Sequence, residues 1–294
     1  MEVSTEVDAN PFGKYIISDW HFLESMDGRS TCPKCGKSRK YFCYTCYVPI
    51  KDLEGKLPVL NLPIKVDIIK HAKEIDGKST SAHAALLAPN DVSIYIFPCI
   101  PDYDDKSENV SEFNVREGNG KMLTIFFSQI VLVFPGKDAI SIEEFVSRQS
   151  AAKVGASKKR PYSSDKPIDR AIFIDSTWNQ CKGIFKDSRL RDLPCVVLKQ
   201  RITQFWRHQE GSPRWYLATV EAVHQLLVEL DLAIKSHSAD PESKKTRIEG
   251  EANQKDDILS HEFDDLLFFF KFMYEKIHTL YDHNQLKSYK RPLK

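Results

Sequence analysis

Two groups of residues in this chain have the types and spacings that chemistry needs. Cys32-Pro-Lys-Cys35 and Cys43-Tyr-Thr-Cys46 are two Cys-x2-Cys pairs with seven residues between them. Two residues between thiolates make the tight turn that lets both reach one tetrahedral Zn²⁺, and Gly36, just after the first pair, suits that turn. Four thiolates fill a tetrahedral shell, so a zinc held by Cys32, Cys35, Cys43 and Cys46 is structural rather than catalytic. The competing reading is a set of reactive or merely buried thiols. Lys34, Lys37, Arg39 and Lys40 crowd the same turn beside Tyr41, Phe42 and Tyr44. Such a mixture grips phosphates and stacks on bases, or is a solvated loop whose rings pack on the body.

The second group is Asp175-Ser176-Thr177-Trp178. The strand-like run Ala171-Ile-Phe-Ile-Asp175 ends in a carboxylate and leads into helix-like Asn179 to Phe185. Ligands of α/β sheets sit in the crevice at the carboxyl ends of strands, where helix N-termini also open, and that places Asp175 in a crevice. On the residues alone, Asp175 serves equally well as the N-cap of the next helix, with Trp178 an ordinary core ring.

The elements that must hold these groups can be read from hydropathy patterning. Val92 to Phe97, Leu123 to Phe134 (two strands around Ser128-Gln129), Ala171 to Asp175 and Cys195 to Leu198 are compact apolar runs ended by Pro, Gly or Asp, as in buried strands of a largely parallel sheet. Lys65 to Ile75, Ser141 to Val146 and Asn179 to Phe185 read as helices between them. Strand and helix alternate, so the class is α/β. Near the end, Val220, Val223, Leu227, Leu230 and Ile234 put one apolar stripe on a long helix that packs on the sheet, and Phe263, Leu266, Leu267, Phe270, Met273, Ile277 and Leu280 do the same on a second. Ser236 to Asp257 is polar and reads as a disordered insertion. Ala152 to Lys166, with Lys158-Lys159-Arg160-Pro161, reads as a mobile basic loop and a nuclear-import patch. The expected division is an N-terminal segment (1–28) with Tyr15, Trp20 and Phe22 available to dock, a zinc knuckle (29–50), a main domain (51–235), the insertion (236–258) and a C-terminal helix (259–294).

The 294 residues are 41% hydrophobic, with 17 Phe, 11 Tyr and 4 Trp, which marks a folded globular chain rather than a disordered one. No apolar run approaches the roughly 18–20 residues a bilayer span needs, and Glu2, Glu6 and Asp8 stand where a signal peptide carries basic residues. The expectation is a soluble intracellular protein, in whose reducing compartment the four clustered cysteines favour metal over disulfides. The net charge is only +1, but Ala151 to Arg214 holds 14 Lys/Arg against 6 Asp/Glu, a local excess of 8. Such a stretch suits a polyphosphate partner or forms a self-compensating solvated face.

Taken in order, four blocks resemble the DTW-domain family, which has relatives among ribosomal-RNA aminocarboxypropyltransferases: the cysteine cluster Cys32 to Cys46, the strand Val131 to Pro135 ending in Phe-Pro, the D-x-T-W of Asp175 to Trp178, and Leu217-Ala-Thr219-Val-Glu221-Ala222 in place of the Thr-x-Glu-Ala helix. One block departs from the pattern: Lys78-Ser79-Thr80-Ser81 stands where an Asn-Thr-Gly-like turn is expected. The resemblance covers about residues 30–235. It implies a knotted, SPOUT-like α/β fold that binds S-adenosylmethionine and moves its 3-amino-3-carboxypropyl group to N3 of a loop uridine in tRNA, releasing 5′-methylthioadenosine. In that scheme Asp175 is the base that takes the N3 proton and Trp178 walls the pocket. Phe134, Pro135, Ser176, Thr177, Leu217 and Thr219 hold the S-adenosylmethionine, while Arg189, Arg191, Arg201, Arg207 and Arg214 form a phosphate track. The scheme further implies a monomer in the nucleus or cytosol. Two other readings compete: a SPOUT-type RNA methyltransferase using the same donor, and a non-catalytic zinc-knuckle RNA-binding protein.

Overall fold

A computed structural model describes residues 10–103, 112–116, 122–126, 129–155, 166–238, 260–282 and 285–292. Residues 1–9, the basic run Lys158 to Pro161 and residues 239–257 of the polar insertion lie outside the described residues.

Two short antiparallel hairpins come first, β1 (Ser30–Thr31) with β2 (Ser38–Arg39) and β3 (Phe42–Cys43) with β4 (Val48–Pro49). The body follows as β5 (Lys65–Lys70), α1 (Ser81–Leu87) and β6 (Val92–Ile96), then a ribbon of β7 (Glu112–Arg116) and β8 (Met122–Phe126). Next are β9 (Ile130–Val133), β10 (Ile140–Ser141), α2 (Ile142–Gly155), β11 (Arg170–Asp175), α3 (Trp178–Phe185), α4 (Ser188–Arg191) and β12 (Cys195–Val197). Helices α5 (Thr219–Ser238) and α6 (Phe268–Leu280) complete it.

Six strands form one wholly parallel sheet in the order β10-β12-β9-β11-β5-β6. The expected α/β class with a mainly parallel sheet flanked by helices is therefore the observed one. β11 lies between β9 and β5, and Val66, Ile68, Ile69, Val131, Leu132, Ala171 and Ile172 are all fully buried. Helices cover the sheet, so both faces of these strands are apolar, and each such side chain contributes about 1.5–3 kcal/mol on burial.

Two expectations are corrected. Lys65 to Ile75 is not a helix: residues 65–70 are the strand between β11 and β6. Val66 to Lys70 are buried on both faces, and a short run buried on both sides has no period that separates strand from helix. Residues 123–126, the first part of the Leu123 to Phe134 run, belong to the antiparallel ribbon with β7 rather than to the parallel sheet. The helix α1 was not foreseen, although Ser-Ala-His-Ala-Ala-Leu-Leu is built of good helix formers; every one of its residues is buried.

Four of the five residues of the expected stripe on α5 are buried, with Val220, Val223, Leu227 and Leu230 at most 1% exposed, while Ile234 near the helix end is exposed. The second expected stripe is corrected: Phe263, Leu266 and Leu267 are buried but precede α6, the consecutive rings Phe268, Phe269 and Phe270 and then Phe272 are buried at its start, and Leu280 at its end is exposed. Phe12 and Trp20 from the N-terminal segment pack on this helix through Phe270, Tyr274 and Phe272. The segment is also fixed through its backbone: Ile16 N–H donates to Asp264 Oδ2 at 2.8 Å and Ser18 N–H to Asp265 Oδ1 at 2.7 Å. No helix among the described residues is long and apolar enough to cross a membrane.

Candidate active site and its zinc knuckle

Each cysteine pair sits at the end of a hairpin turn. The chain then leaves through the left-handed region, at Gly36 (φ 67°) after the first pair and at Tyr47 (φ 54°) after the second. The two halves thus repeat one backbone device, although only the first has a glycine to suit it. All four Sγ atoms lie within 4.8 Å of one another, and Cys35 Sγ and Cys43 Sγ are 3.7 Å apart. With Zn–S bonds of about 2.3 Å, a tetrahedron has edges of about 3.7–3.8 Å, so the donor set and its spacing fit zinc. Burial pushes the Cys43 thiol up, but hydrogen bonds from the Thr45 and Cys46 amides and from Arg39 outweigh it and bring the thiol down to about 6. The hydrogen bond to Cys35, burial and the other thiols push Cys46 up to about 12, so the cluster on its own favours one thiolate at its neighbours' expense, and a bound cation is what would hold all four.

The knuckle is clamped to the loop that follows β5. Thr45 Oγ1 donates to Asp76 Oδ2 at 3.1 Å, the other Asp76 oxygen is paired with buried Lys70, and the Tyr44 ring packs against Gly77. Arg39 lies over the Tyr44 ring, 4.0 Å from its centroid. The same loop continues into Lys78-Ser79-Thr80-Ser81, the block that departs from the family pattern, and here it reaches Asp175.

Asp175 closes β11 beside its register partner Lys70 and is 8% exposed. Its Oδ2 accepts from Ser79 Oγ at 2.5 Å and its Oδ1 from Thr219 Oγ1 at 2.8 Å. Thr80 Oγ1 accepts from Val220 N–H at 3.2 Å, so the loop and the start of α5 are also tied to each other. The N-cap of α3 is Thr177, not Asp175. Thr177 forms a capping box with Gln180, whose Oε1 accepts from Thr177 N–H at 3.2 Å, and the Asp175 carboxylate has no part in it.

Beside the carboxylate lies a half-buried group of rings. Trp178 is 4.5 Å from Tyr216 and 6.2 Å from Phe134 by ring centroids, and Phe134 stacks on Phe185 at 4.4 Å. Phe134 follows β9, and its N–H donates to Val196 O at 3.1 Å. At the next turn a Cβ on Gly136 would come within 3.1 Å of Cys195 Sγ, so a larger residue would push this loop off β12. Pro135 is exposed, Ser176 is half-buried and bonds only its neighbour's carbonyl, and half-buried Leu217 leads into α5. Phe134, Trp178, Asp175 and Thr219 therefore meet at the carboxyl edge of the sheet, the side on which doubly wound folds bind ligands.

Of the five arginines expected to track phosphates, three are engaged by partners within the protein. Arg189 holds both oxygens of Asp187 at 2.8 Å and the carbonyls of Ile100 and Pro98. Arg201 bonds Tyr15 at 2.7 Å and lies 3.6 Å from buried Glu221, while Arg214 is buried over Tyr289. Arg191 is exposed beside Asp192, and exposed Arg207 reaches Gly77 O at 3.4 Å. The residues that sequence reasoning missed are Ser79, Tyr216 and Glu221. Glu221 accepts from Ala218 N–H at 2.9 Å and Gln204 N–H at 3.0 Å and so shapes the turn before α5. Ser79 was hidden by the misreading of β5: once 65–70 is a strand, a Ser/Thr run just past its carboxyl end is a signal.

A parallel α/β sheet with a gripped carboxylate and a ring cluster at its carboxyl edge, beside a four-cysteine knuckle, defines an α/β protein whose candidate ligand site lies at the carboxyl ends of its strands. The chain belongs to the DTW-domain family, whose model matches residues 40–278. It is 38% identical to tRNA-uridine aminocarboxypropyltransferase 1 of Xenopus tropicalis, over 93% of this chain and 88% of that protein. The proteins of the same name from Mus musculus and Homo sapiens are each 37% identical over 86% of this chain and 78% of their own length. No solved structure gives a significant match.

Proposed function

We propose that this protein transfers the 3-amino-3-carboxypropyl group of S-adenosylmethionine to N3 of a uridine in tRNA, releasing 5′-methylthioadenosine. The relatives' shared name supplies the reaction class. The observation that carries the proposal to this chain is the position of Asp175, which closes a central strand with each oxygen held by a hydroxyl from a different element.

Uridine N3 carries a proton and attacks poorly until that proton leaves. Asp175 accepts it, a contribution of the order of 10²–10⁴-fold in rate, while Ser79 and Thr219 hold the carboxylate in place. A sulfonium donor supplies electrophilic carbons, and the group transferred depends on which carbon faces the nucleophile. The N3–C bond forms as the C–S bond breaks, and the bonding pair stays on sulfur, giving a neutral thioether. Trp178, Tyr216 and Phe134 offer ring faces for the adenine of the donor and exclude water. The turn Ser176-Thr177 and the Leu217 to Thr219 segment border the same crevice and hold the remaining polar parts. Zinc on Cys32, Cys35, Cys43 and Cys46 keeps the knuckle folded, and the Thr45–Asp76 and Tyr44–Gly77 contacts pass that order to the Ser79 loop.

N3 lies on the Watson–Crick edge, so the target must be unpaired or flipped out, as in a tRNA loop. The test is product analysis with purified protein, S-adenosylmethionine and unmodified tRNA. Formation of 5′-methylthioadenosine in step with RNA modification is the expected result. Formation of S-adenosylhomocysteine instead makes the protein a methyltransferase, and no turnover at all makes it a binding protein.

A further inference from the structure

A cavity of about 240 Å³, lined by Ser79 but by none of Phe134, Trp178 and Tyr216, lies between the cysteine knuckle, the 76–83 segment and residues 205–207. That is about eight waters' worth of liquid volume, room for a pyrimidine ring and part of its ribose. Its wall carries five cationic side chains, Arg29, Arg39, Lys40, Lys78 and Arg207, against one carboxylate, Asp76, which is already paired with Lys70. Lys40, Lys78 and Arg207 are exposed and form no ion pair among the described residues. The rings of Tyr41, Tyr44 and Trp206 are half-buried in the same wall.

One further wall residue is a buried histidine. His83 is 6% exposed, and its buried Nδ1 has no hydrogen-bond partner. Its ring is held edge-on against Phe42 and packs on Phe269. Burial, with Arg207 nearby, brings its pKa down to about 3, so the ring is neutral and presents one donor and one acceptor nitrogen. The Nδ1 atom is closed to solvent, so the ring contributes to the cavity through its remaining surface and not through that nitrogen. Free cations, ring faces and a neutral hydrogen-bonding group in one small cavity are the elements that bind an unpaired nucleotide: phosphate, base face and base edge. Asp175 itself does not line the cavity; Ser79 belongs to the wall and donates to Asp175, so a base seated here meets the carboxylate only past Ser79.

We infer that this cavity is the seat of the flipped target nucleotide of the RNA, its phosphates held by Lys78, Arg207 and Lys40 and its base by Tyr44, Trp206 and His83. The inference rests on the proposal that the protein acts on RNA, and it assigns the RNA to the knuckle side of Ser79 and the sulfonium substrate to the Phe134–Trp178 side.

The experiment measures binding of an unmodified tRNA transcript to full-length protein by fluorescence anisotropy over a series of salt concentrations, with S-adenosylmethionine affinity measured by calorimetry alongside. Lys78 and Arg207 are exposed, so the double variant Lys78→Ala/Arg207→Ala leaves the fold intact. It is expected to weaken tRNA binding by about 10-fold or more and to lower the slope of log affinity against log salt by about two. Affinity for S-adenosylmethionine stays unchanged, and Arg191→Ala changes tRNA binding by less than twofold. A 4-thiouridine placed at the modified position should photo-crosslink to the peptide containing Tyr44 or Trp206.

Unaltered tRNA affinity and slope in the double variant overturn the assignment, as does a crosslink confined to the Trp178–Tyr216 side. Loss of S-adenosylmethionine affinity in step with tRNA affinity gives the cavity to the donor instead. If the wild type binds tRNA through these residues but transfers nothing, the reaction proposed above falls and the pocket stands. If it transfers the group while the double variant binds normally, the reaction stands and the pocket falls. A wild type with no affinity for tRNA removes both.

Discussion

Replacing Thr219 by Val removes one hydroxyl hydrogen bond from Asp175 while keeping the shape of the side chain. The lost bond is 2.8 Å long and ends on a carboxylate that is only 8% exposed. Hydrogen bonds to charged groups contribute about 1.5–3 kcal/mol, and little of that is lost to solvent at this burial. If the bond serves to aim the carboxylate, most of the loss falls on the transition state, and about 1.4 kcal/mol per decade gives a 10- to 100-fold fall in kcat/KM. Thr219→Ser keeps the hydroxyl and should recover most of the rate. Ser79→Ala removes the bond to the other oxygen and should cost a similar amount. Both hydroxyls act on one carboxylate, so the double variant should lose less than the sum of the two single effects. The assay is kcat/KM for group transfer to tRNA, with urea unfolding of each variant as the control. The reasoning fails if Thr219→Val keeps wild-type kcat/KM, or if Ser79→Ala and Thr219→Val combine additively.

Other perturbations test other parts of the structure. Cys43→Ser, or prolonged chelation, should release about one zinc per chain by mass spectrometry, lower the melting temperature by roughly 10 °C and reduce transfer, because the knuckle holds the Ser79 loop through Thr45 and Tyr44. A melting temperature and rate that survive complete loss of the metal would dismiss that link. His83 has a folded-state pKa near 3 against 6.5 for an exposed imidazole, so below pH 6.5 the unfolded chain binds the proton and the folded one does not. Its contribution to stability is complete above that pH and declines by about 1.4 kcal/mol per unit as pH falls toward 3. Denaturant midpoints at pH 7 and pH 5 should differ more for the wild type than for His83→Gln, and equal differences would count against a neutral buried ring. Asp264 accepts from Ile16 N–H and is hydrogen-bonded to His224, which burial keeps below its ordinary pKa and so neutral, and to His261; Asp264→Ala should cost about 1.5–3 kcal/mol and expose the N-terminal segment to protease. An unchanged digestion pattern would show that the Phe12 and Trp20 packing suffices on its own.

What the residues disclosed before any coordinates, and what they hid, follows from the range of the interactions involved. The cysteine quartet was legible because its spacing is local: two residues inside each pair dictate a turn. β11 and the stripe on α5 were legible because burial on two faces, or on one, leaves a mark in sequence. β5 was misread because Lys65 to Lys70, buried on both sides from Val66 onward and only six residues long, has no period to betray it. With β5 misplaced, the Ser79 loop had no position, although it supplies one of the two hydroxyls on Asp175. Charge counting failed in another way: it registers arginines but not the internal partners that Arg189, Arg201 and Arg214 find in Asp187, Tyr15 and Tyr289. The basic cavity could not be read at all, since its walls come from segments more than a hundred residues apart and only the fold brings Arg39, Lys78 and Arg207 together.

Asp175 is the residue on which the whole account turns, and one measurement tests it most directly. Wild type and Asp175→Asn are incubated with tRNA and S-adenosylmethionine labelled in its aminocarboxypropyl chain, after calorimetry has established that both bind the tRNA and the donor alike. The account predicts label on a tRNA uridine with the wild type and a loss of at least 100-fold with the variant. Equal labelling by both proteins would contradict it.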